Sequence, residues 1–243
     1  MTDEALYHDP EFAALYDYDN PWPEDFDHFL TLVSGRRVLD LGCGTGIFSA
    51  ALAAGGHQVT GVDPAAAMLE LARRRDGQVT WIHADARGLD LGQRFDMVVM
   101  TGHAFQTLLT RADRQAVIAT IARHLVPGGR FFFDSRNPDA RAWDRWTKAA
   151  TLGNFRHPDR GQITRWTTAS QDDFGIVSYE TVYQYDNGRQ LRATSRLGFP
   201  DRSEIAGLIG AAGMQVERWI GDVSLSDFAP DSPEIIPLGR RPA

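Results

Sequence analysis

The chain has 243 residues, 43% of them hydrophobic and 10% aromatic, and it sets 25 Lys and Arg against 32 Asp and Glu for a formal charge of −7 at pH 7. That length holds one sizeable α/β core with a modest subdomain, and the acidic balance disfavours a nucleic-acid partner. A single cysteine, Cys43, excludes an intramolecular disulfide, and neither a basic, apolar leader nor an apolar run of the ~18 residues that suggest a membrane span is visible, so a cytoplasmic protein with no membrane partner is expected.

After an acidic, aromatic head over residues 1–34, β and α signals alternate as a parallel sheet requires. "RRVLDLG" reads as the first buried strand, and Thr45 to Ala54 as a helix stopped by Gly55-Gly56. "HQVTGVD" is the second strand, followed by the helix "PAAAMLELARRR", whose Pro64 suits a first turn. "VTWIHAD" and "FDMVVMT" supply two more strands. "RADRQAVIATIARHL" is an amphipathic helix with Val117, Ile118, Ile121 and Leu125 on one face, and Pro127-Gly128-Gly129 separates it from the strand "RFFFDS". The pattern then changes. Ile163 to Phe199 alternates with a period of two and contains Asn187-Gly188, a tight-hairpin signal. Three antiparallel strands are predicted there, "ITRWTTAS", "IVSYETVYQY" and "RQLRATSRLGF", within an insertion spanning 155–199. "DRSEIAGLIGAAG" returns as a helix, and "MQVERWIGDV" and "PEIIPLGRR" provide closing strands. The expected fold is one α/β domain over 1–243, a doubly wound, mostly parallel seven-stranded Rossmann-like sheet with the antiparallel β insertion after strand five.

In such a sheet, ligands bind beyond the carboxyl ends of the strands. Gly42, Gly44 and Gly46 let the backbone turn tightly and approach a ligand without Cβ obstruction, and the following helix presents unpaired N–H donors. Asp63 ends the second strand, where a carboxylate accepts both hydroxyls of a ribose. A dinucleotide fingerprint counted from Gly42 would place its third glycine where Ile47 stands, so a nicotinamide-dependent oxidoreductase is the weaker reading. The only lysine, Lys148, lies far from this turn, which disfavours a triphosphate-cradling loop.

"VLDLGCGTG", Asp63 after the next strand, "ADA" at Ala84 to Ala86, and "LVPGGRFFFD" occur in this order, and together they resemble the class I S-adenosylmethionine-dependent methyltransferases. The likeness is strong from Arg37 to about Ser135 and looser beyond. It implies S-adenosylmethionine as cofactor, with Gly42, Gly44 and Gly46 passing beside its methionine and ribose portion. It also implies that Asp63 holds the ribose hydroxyls and that Asp85 with the Ala86 backbone recognises the adenine amino edge. Met68 either covers the adenine face or serves ordinary helix packing. Cys43, Pro64 and Met100 complete the expected cofactor-binding set, and Asp40 orders the glycine loop indirectly.

Methyl transfer is an in-line displacement that needs alignment and exclusion of water rather than a protein nucleophile. A base helps when the acceptor is a hydroxyl, whereas a neutral amine attacks first and loses its proton later. His103, in "TGHAFQTL" after strand four, is the candidate base; its alternative role is packing against the cofactor or capping the loop. The same segment lacks the Asn-Pro-Pro-aromatic signature of enzymes that methylate nucleic-acid bases or protein glutamine, which favours a small-molecule acceptor. Strand four ends in Met100-Thr101-Gly102, and Asp134 with Asn137 alone makes no persuasive metal site, so no metal is expected. Tyr7, Tyr16, Tyr18 and Trp22 in the head, with Trp143 and Trp146 after strand five, either build an aromatic lid, with Tyr16, Trp22 and His103 against the substrate, or merely anchor the head by packing. A basic run from Arg130 to Arg165 carries Arg136, Arg141, Arg145, Lys148, Arg156 and Arg160; it is either a solvated face or a recognition element for an anionic small substrate. The expected activity is methyl transfer to an oxygen or nitrogen of a small molecule. The rival is a noncatalytic S-adenosylmethionine-binding or regulatory protein, and the oligomeric state stays open.

Overall fold

A computed structural model describes residues 5–243. Three helices come first, α1 (Ala5–His8), α2 (Pro10–Asp19) and α3 (Glu24–Leu32). Then β1 (Arg37–Leu41), α4 (Ile47–Ala54), β2 (Gln58–Asp63), α5 (Ala66–Arg75), β3 (Thr80–His83), β4 (Phe95–Met100), α6 (Arg111–His124) and β5 (Leu125–Phe133) follow in alternation. After β5 come α7 (Lys148–Thr151), β6 (Gly153–His157), β7 (Gly161–Gln171), β8 (Val177–Tyr185), β9 (Gln190–Leu197), α8 (Arg202–Ala211), β10 (Gln215–Ile220) and β11 (Ile236–Arg240).

Seven strands form one sheet in the order β10-β11-β5-β4-β1-β2-β3. Strands β3, β2, β1, β4 and β5 run parallel, while β11 pairs antiparallel with β5 and with β10. The order reverses between β1 and β4, and that switch point is where an open α/β sheet leaves a crevice. Helices cover both faces because successive side chains of each strand point to opposite sides. Leu39, Leu41, Val98, Phe131 and Phe133 meet Val117, Ile118 and Ile121 of α6 and Ile205 and Leu208 of α8. Val38, Met97, Val99 and Phe132, one residue out of phase, meet Phe26 and Phe29 of α3 and Phe48 and Leu52 of α4. Each fully buried side chain of this size contributes roughly 1.5–3 kcal/mol.

The remaining strands form a separate antiparallel sheet in the order β6-β7-β8-β9. Three strands were expected from Ile163 onward and four are present, because Gly153–His157 pairs with β7. Its only large apolar side chain is Phe155, which leaves too little alternation to register as a strand. The "HPDRG" turn that joins it to β7 ends at Gly161 with φ of 77°. One face of this sheet packs on the head: Ile163, Tyr183, Tyr185 and Ala193 bury against Leu6, Phe12 and Leu15.

Two boundaries differ from expectation for local reasons. The helix expected from Thr45 starts at Ile47, because Gly46 is in the left-handed region at φ of 76° and serves as its N-cap. Pro127-Gly128-Gly129, expected to separate helix from strand, lies within β5 as a bulge: Phe95 pairs with Leu125 but Met97 with Arg130.

Candidate active site

The glycine loop is folded by hydrogen bonds from the next strand. Gly42 and Cys43 donate from their backbone N to Val62 O at 2.8 and 3.1 Å. Asp63, 7% exposed at the end of β2, accepts from Gly44 N with one oxygen and from Ala65 N with the other, both at 2.8 Å. Burial raises the Asp63 pKa, and these two bonds oppose the rise.

The three glycines serve different ends. A Cβ at Gly46 would stand 2.4 Å from Trp81 Cη2, and one at Gly42 would stand 2.8 Å from Ala104 Cβ, so both are needed for internal packing. At Gly44 a Cβ would meet nothing within 4 Å, which marks Gly44 as the glycine beside open space. Asp40 lies behind the loop: its Oδ2 accepts the Ser49 hydroxyl at 2.6 Å, while its Oδ1 is buried with no hydrogen-bond partner. Burial lifts its pKa to about 7. Cys43 packs against Leu69, Ala72 and Trp81, and burial pushes its thiol up and away from reactivity.

The other expected cofactor residues flank this loop. Pro64 O accepts from His83 Nε2 at 2.9 Å. Met68 is buried on α5 in a cluster with Ala13 and Ala65, against which Tyr7 and Tyr16 pack. Met100 is in the core beneath Gly42. Asp85 is exposed and its carboxylate binds Arg87 Nε at 2.9 and 3.0 Å, while Arg87 also reaches Asp113. Ala86 packs against the core edge.

A second constellation sits at the ends of β4 and β5. Gly102 and His103 are both left-handed, with φ of 69° and 60°. The backbone N of His103 is shared between both oxygens of Asp134 at 3.0 Å, and His103 Nε2 lies 3.1 and 3.2 Å from the Glu234 carboxylate oxygens. These contacts hold a conformation that is uncommon outside glycine. Asp134 is 1% exposed, and burial raises its pKa to about 6, against the pull of His103. Asp25, from the first turn of α3, is within electrostatic reach of His103 and Glu234, and burial raises its pKa as well.

The head supplies one wall. Tyr7 and Tyr16 are partners at 6.2 Å between ring centroids, the Tyr7 hydroxyl is 3.0 Å from that of Tyr179 on β8, and Tyr179 meets Trp146 edge-on at 5.8 Å. Burial raises the pKa of both head tyrosines, so they stay protonated. Trp143 packs on Phe199, Tyr18 on His157, and Trp22 on Phe26 with its indole N–H donated to Asp27. Sequence reading did not assign Tyr179, Glu234 or Asp25 to the site. Glu234 lies 131 positions from its partner His103 and has no local signature.

Comparison with known proteins agrees with this layout. The methyltransferase domain family matches residues 38–129. The cypemycin N-terminal methyltransferase of Streptomyces sp is 42% identical over 109 residues, 44% of each chain. The ubiquinone biosynthesis O-methyltransferase of Pseudomonas entomophila (strain L48) is 32% identical over 58% of this chain and 63% of its own. The chain thus spans about half to five-eighths of these curated relatives. The CcbJ methyltransferase from Streptomyces caelestis superposes over 100% of both chains with a TM-score of 0.80 at 23% identity, a likeness of fold. Residues 38–129, which carry the glycine loop and the strand-end Asp63, thus match the methyltransferase domain family, and the whole chain shares its fold with a methyltransferase of known structure.

Proposed function

We propose that the chain transfers a methyl group from S-adenosylmethionine to an amine nitrogen of a small-molecule acceptor. The observation that carries this reading is the gathering of Asp25, Asp134 and Glu234 around His103, two strands of the sheet away from the cofactor's ribose carboxylate. An ammonium is drawn to such a site, and the same groups accept the proton it must shed before its lone pair is free. The names of the relatives include both an N-terminal and an O-methyltransferase, so the preference for nitrogen rests on the carboxylates.

The residues at the β1–β2 end suit the cofactor. Gly44 has open space beside it, Asp63 keeps further lone pairs for a ribose diol, and the unpartnered Oδ1 of Asp40 is a seat for an ammonium. Asp85 and the Ala86 backbone would read the adenine edge, with Asp85 shared between that edge and Arg87. When bound, S-adenosylmethionine supplies a methyl carbon made electrophilic by its sulfonium.

What the chain itself adds is alignment, exclusion of water and proton handling. Tyr7, Tyr16 and Tyr179 wall the acceptor side. With Glu234 accepting from His103, Nε2 carries the ring proton and Nδ1 keeps its lone pair as the base. Asp134, buried behind the loop, holds the His103 backbone N with both oxygens and so orients the base.

The His103–Glu234 pair also suits deprotonation of a hydroxyl, which keeps oxygen methylation as the second reading. Incubating the protein with S-adenosylmethionine and matched amines and alcohols, and measuring S-adenosylhomocysteine, separates the two. Calorimetric binding of S-adenosylmethionine with no product from any acceptor would instead favour the noncatalytic binder.

A further inference from the structure

Part of the basic run after β5 is paired. Arg141 pairs with Asp144, Arg160 with Glu11 and Arg165 with Asp19, and Lys148 stands 3.9 Å from the centroid of the Trp166 ring. Arg136, like Arg145 and Arg156, has no carboxylate partner among the described residues, but it is held in place by neutral ones. Its Nη1 donates to Gln106 Oε1 at 3.1 Å, and its guanidinium lies 5.2 Å from the centroid of the Trp146 ring. Gln106 is fully buried and is held by its own amide, which donates to Gly198 O at 3.1 Å. A neutral oxygen therefore fixes one edge of a guanidinium that has five N–H donors, and its charge stays uncompensated.

The position of this charge is informative. Arg136 forms an isolated backbone bridge with Glu234, so the cation and the carboxylate that holds His103 start from paired positions. Trp146, beneath Arg136, meets Tyr179, whose hydroxyl meets that of Tyr7, and the Arg136 charge acts on Tyr7. Ser195, cross-strand neighbour of Tyr179, is 4% exposed and its Oγ has no hydrogen-bond partner. The aromatic wall thus carries spare donors and a positive charge, while His103 faces three acids.

We propose that Arg136 binds an anionic group, carboxylate or phosphate, on the methyl acceptor, so that the acceptor is an amine that also carries an acid. This rests on the amine reading above. A planar guanidinium backed by an indole grips either oxyanion through two parallel N–H bonds, and the acceptor's amine is then directed toward His103 and its carboxylates.

The test has a binding arm and a turnover arm. Inorganic phosphate and acetate are titrated into protein saturated with S-adenosylhomocysteine, following tryptophan fluorescence, with Trp146→Phe identifying the responding indole. Wild type is expected to respond to at least one of the two anions, Arg136→Gln to lose that response about 10- to 100-fold in affinity, and Arg136→Lys to recover part of it. In turnover, amines are compared with counterparts that carry a carboxylate or a phosphate. Arg136→Gln should raise KM for the acidic member about 10- to 100-fold and leave the neutral member nearly unchanged. Whichever acid shows the larger effect identifies the group bound. Equal loss on neutral and acidic members, or no fluorescence response to either anion in wild type, overturns the assignment. If no amine yields S-adenosylhomocysteine, the amine reading fails while the binding arm still decides Arg136.

Discussion

Asp17 Oδ1 accepts the Thr45 hydroxyl at 2.6 Å, so a carboxylate of α2 is fastened to the glycine loop itself. Thr45 is 2% exposed, its carbonyl accepts from Arg75 Nε at 3.1 Å, and Arg75 also pairs with Asp17. The other side of α2 is tied to the antiparallel sheet by Glu11 with Arg189 and by Asp19 with Arg165. The head therefore links the glycine loop to the antiparallel sheet. Asp17→Ala is expected to weaken S-adenosylhomocysteine binding by about 1.5 kcal/mol, roughly tenfold, mainly through faster release measured by stopped flow. An unchanged release rate would show that the contact does not bear on the cofactor.

The glycines separate packing from binding. Gly46→Ala places a methyl 2.4 Å from Trp81 Cη2 on a left-handed backbone, and should destabilise the fold by about 2–4 kcal/mol. Gly44→Ala meets no neighbour and carries only the left-handed strain, about 1–2 kcal/mol, yet should lose cofactor affinity at least ~10-fold because its methyl enters the open space beside Asp63. Thermal melts and calorimetry on the two variants give these opposite patterns; equal cofactor affinity for Gly44→Ala and wild type would move the site elsewhere.

What could be read from the sequence is what is local. Gly42 to Asp63 is one continuous strand-turn-helix-strand unit, so its glycines and strand-end carboxylate carry their meaning in their spacing. Val117, Ile118 and Ile121 likewise follow helical period and are 0–1% exposed. β6 was hidden because a single Phe155 gives no alternation, and the left-handed Gly46 shortened a helix whose composition reads through it. The surroundings of His103 and Arg136 were the least legible. His103 was visible as a lone histidine after a strand, but Glu234 becomes its partner only when β11 folds back beside β5. Arg136 was visible within a basic run, and only tertiary contacts, Arg160 with Glu11 and Arg136 with Gln106, distinguish it from Arg160.

Two buried carboxylates set a pH dependence of stability. Burial raises Asp40 to about 7 and Asp134 to about 6, above their unfolded values. The fold therefore favours their protonated forms, and that stabilisation is present below about pH 4 and is lost as pH rises through 6 and 7. Denaturant unfolding of the cofactor-free protein should show stability falling from pH 5 to pH 8, by on the order of 2–4 kcal/mol from Asp40. Asp40→Asn should flatten the upper part of that slope; a slope unchanged in this variant would contradict the assignment.

His103 and Glu234 should act as a unit. On an amine acceptor, His103→Ala should cost less than ~10-fold in kcat above the pKa of the amine, where no base is needed, and ~10²-fold or more below it. Glu234→Gln should follow the same pH pattern with a smaller loss. A loss of ~10²–10⁴-fold at every pH would fit a hydroxyl acceptor instead, and near-wild-type turnover across the range would leave His103 a loop-capping residue.

The most direct measurement of the central claim is transfer of an isotopically labelled methyl group from S-adenosylmethionine to a panel of small-molecule amines and alcohols, followed by mass spectrometry of both products. The proposed function predicts one S-adenosylhomocysteine for each labelled N-methyl amine, with the label on nitrogen. S-adenosylmethionine that binds and is recovered intact, or a label found only on oxygen, would contradict it.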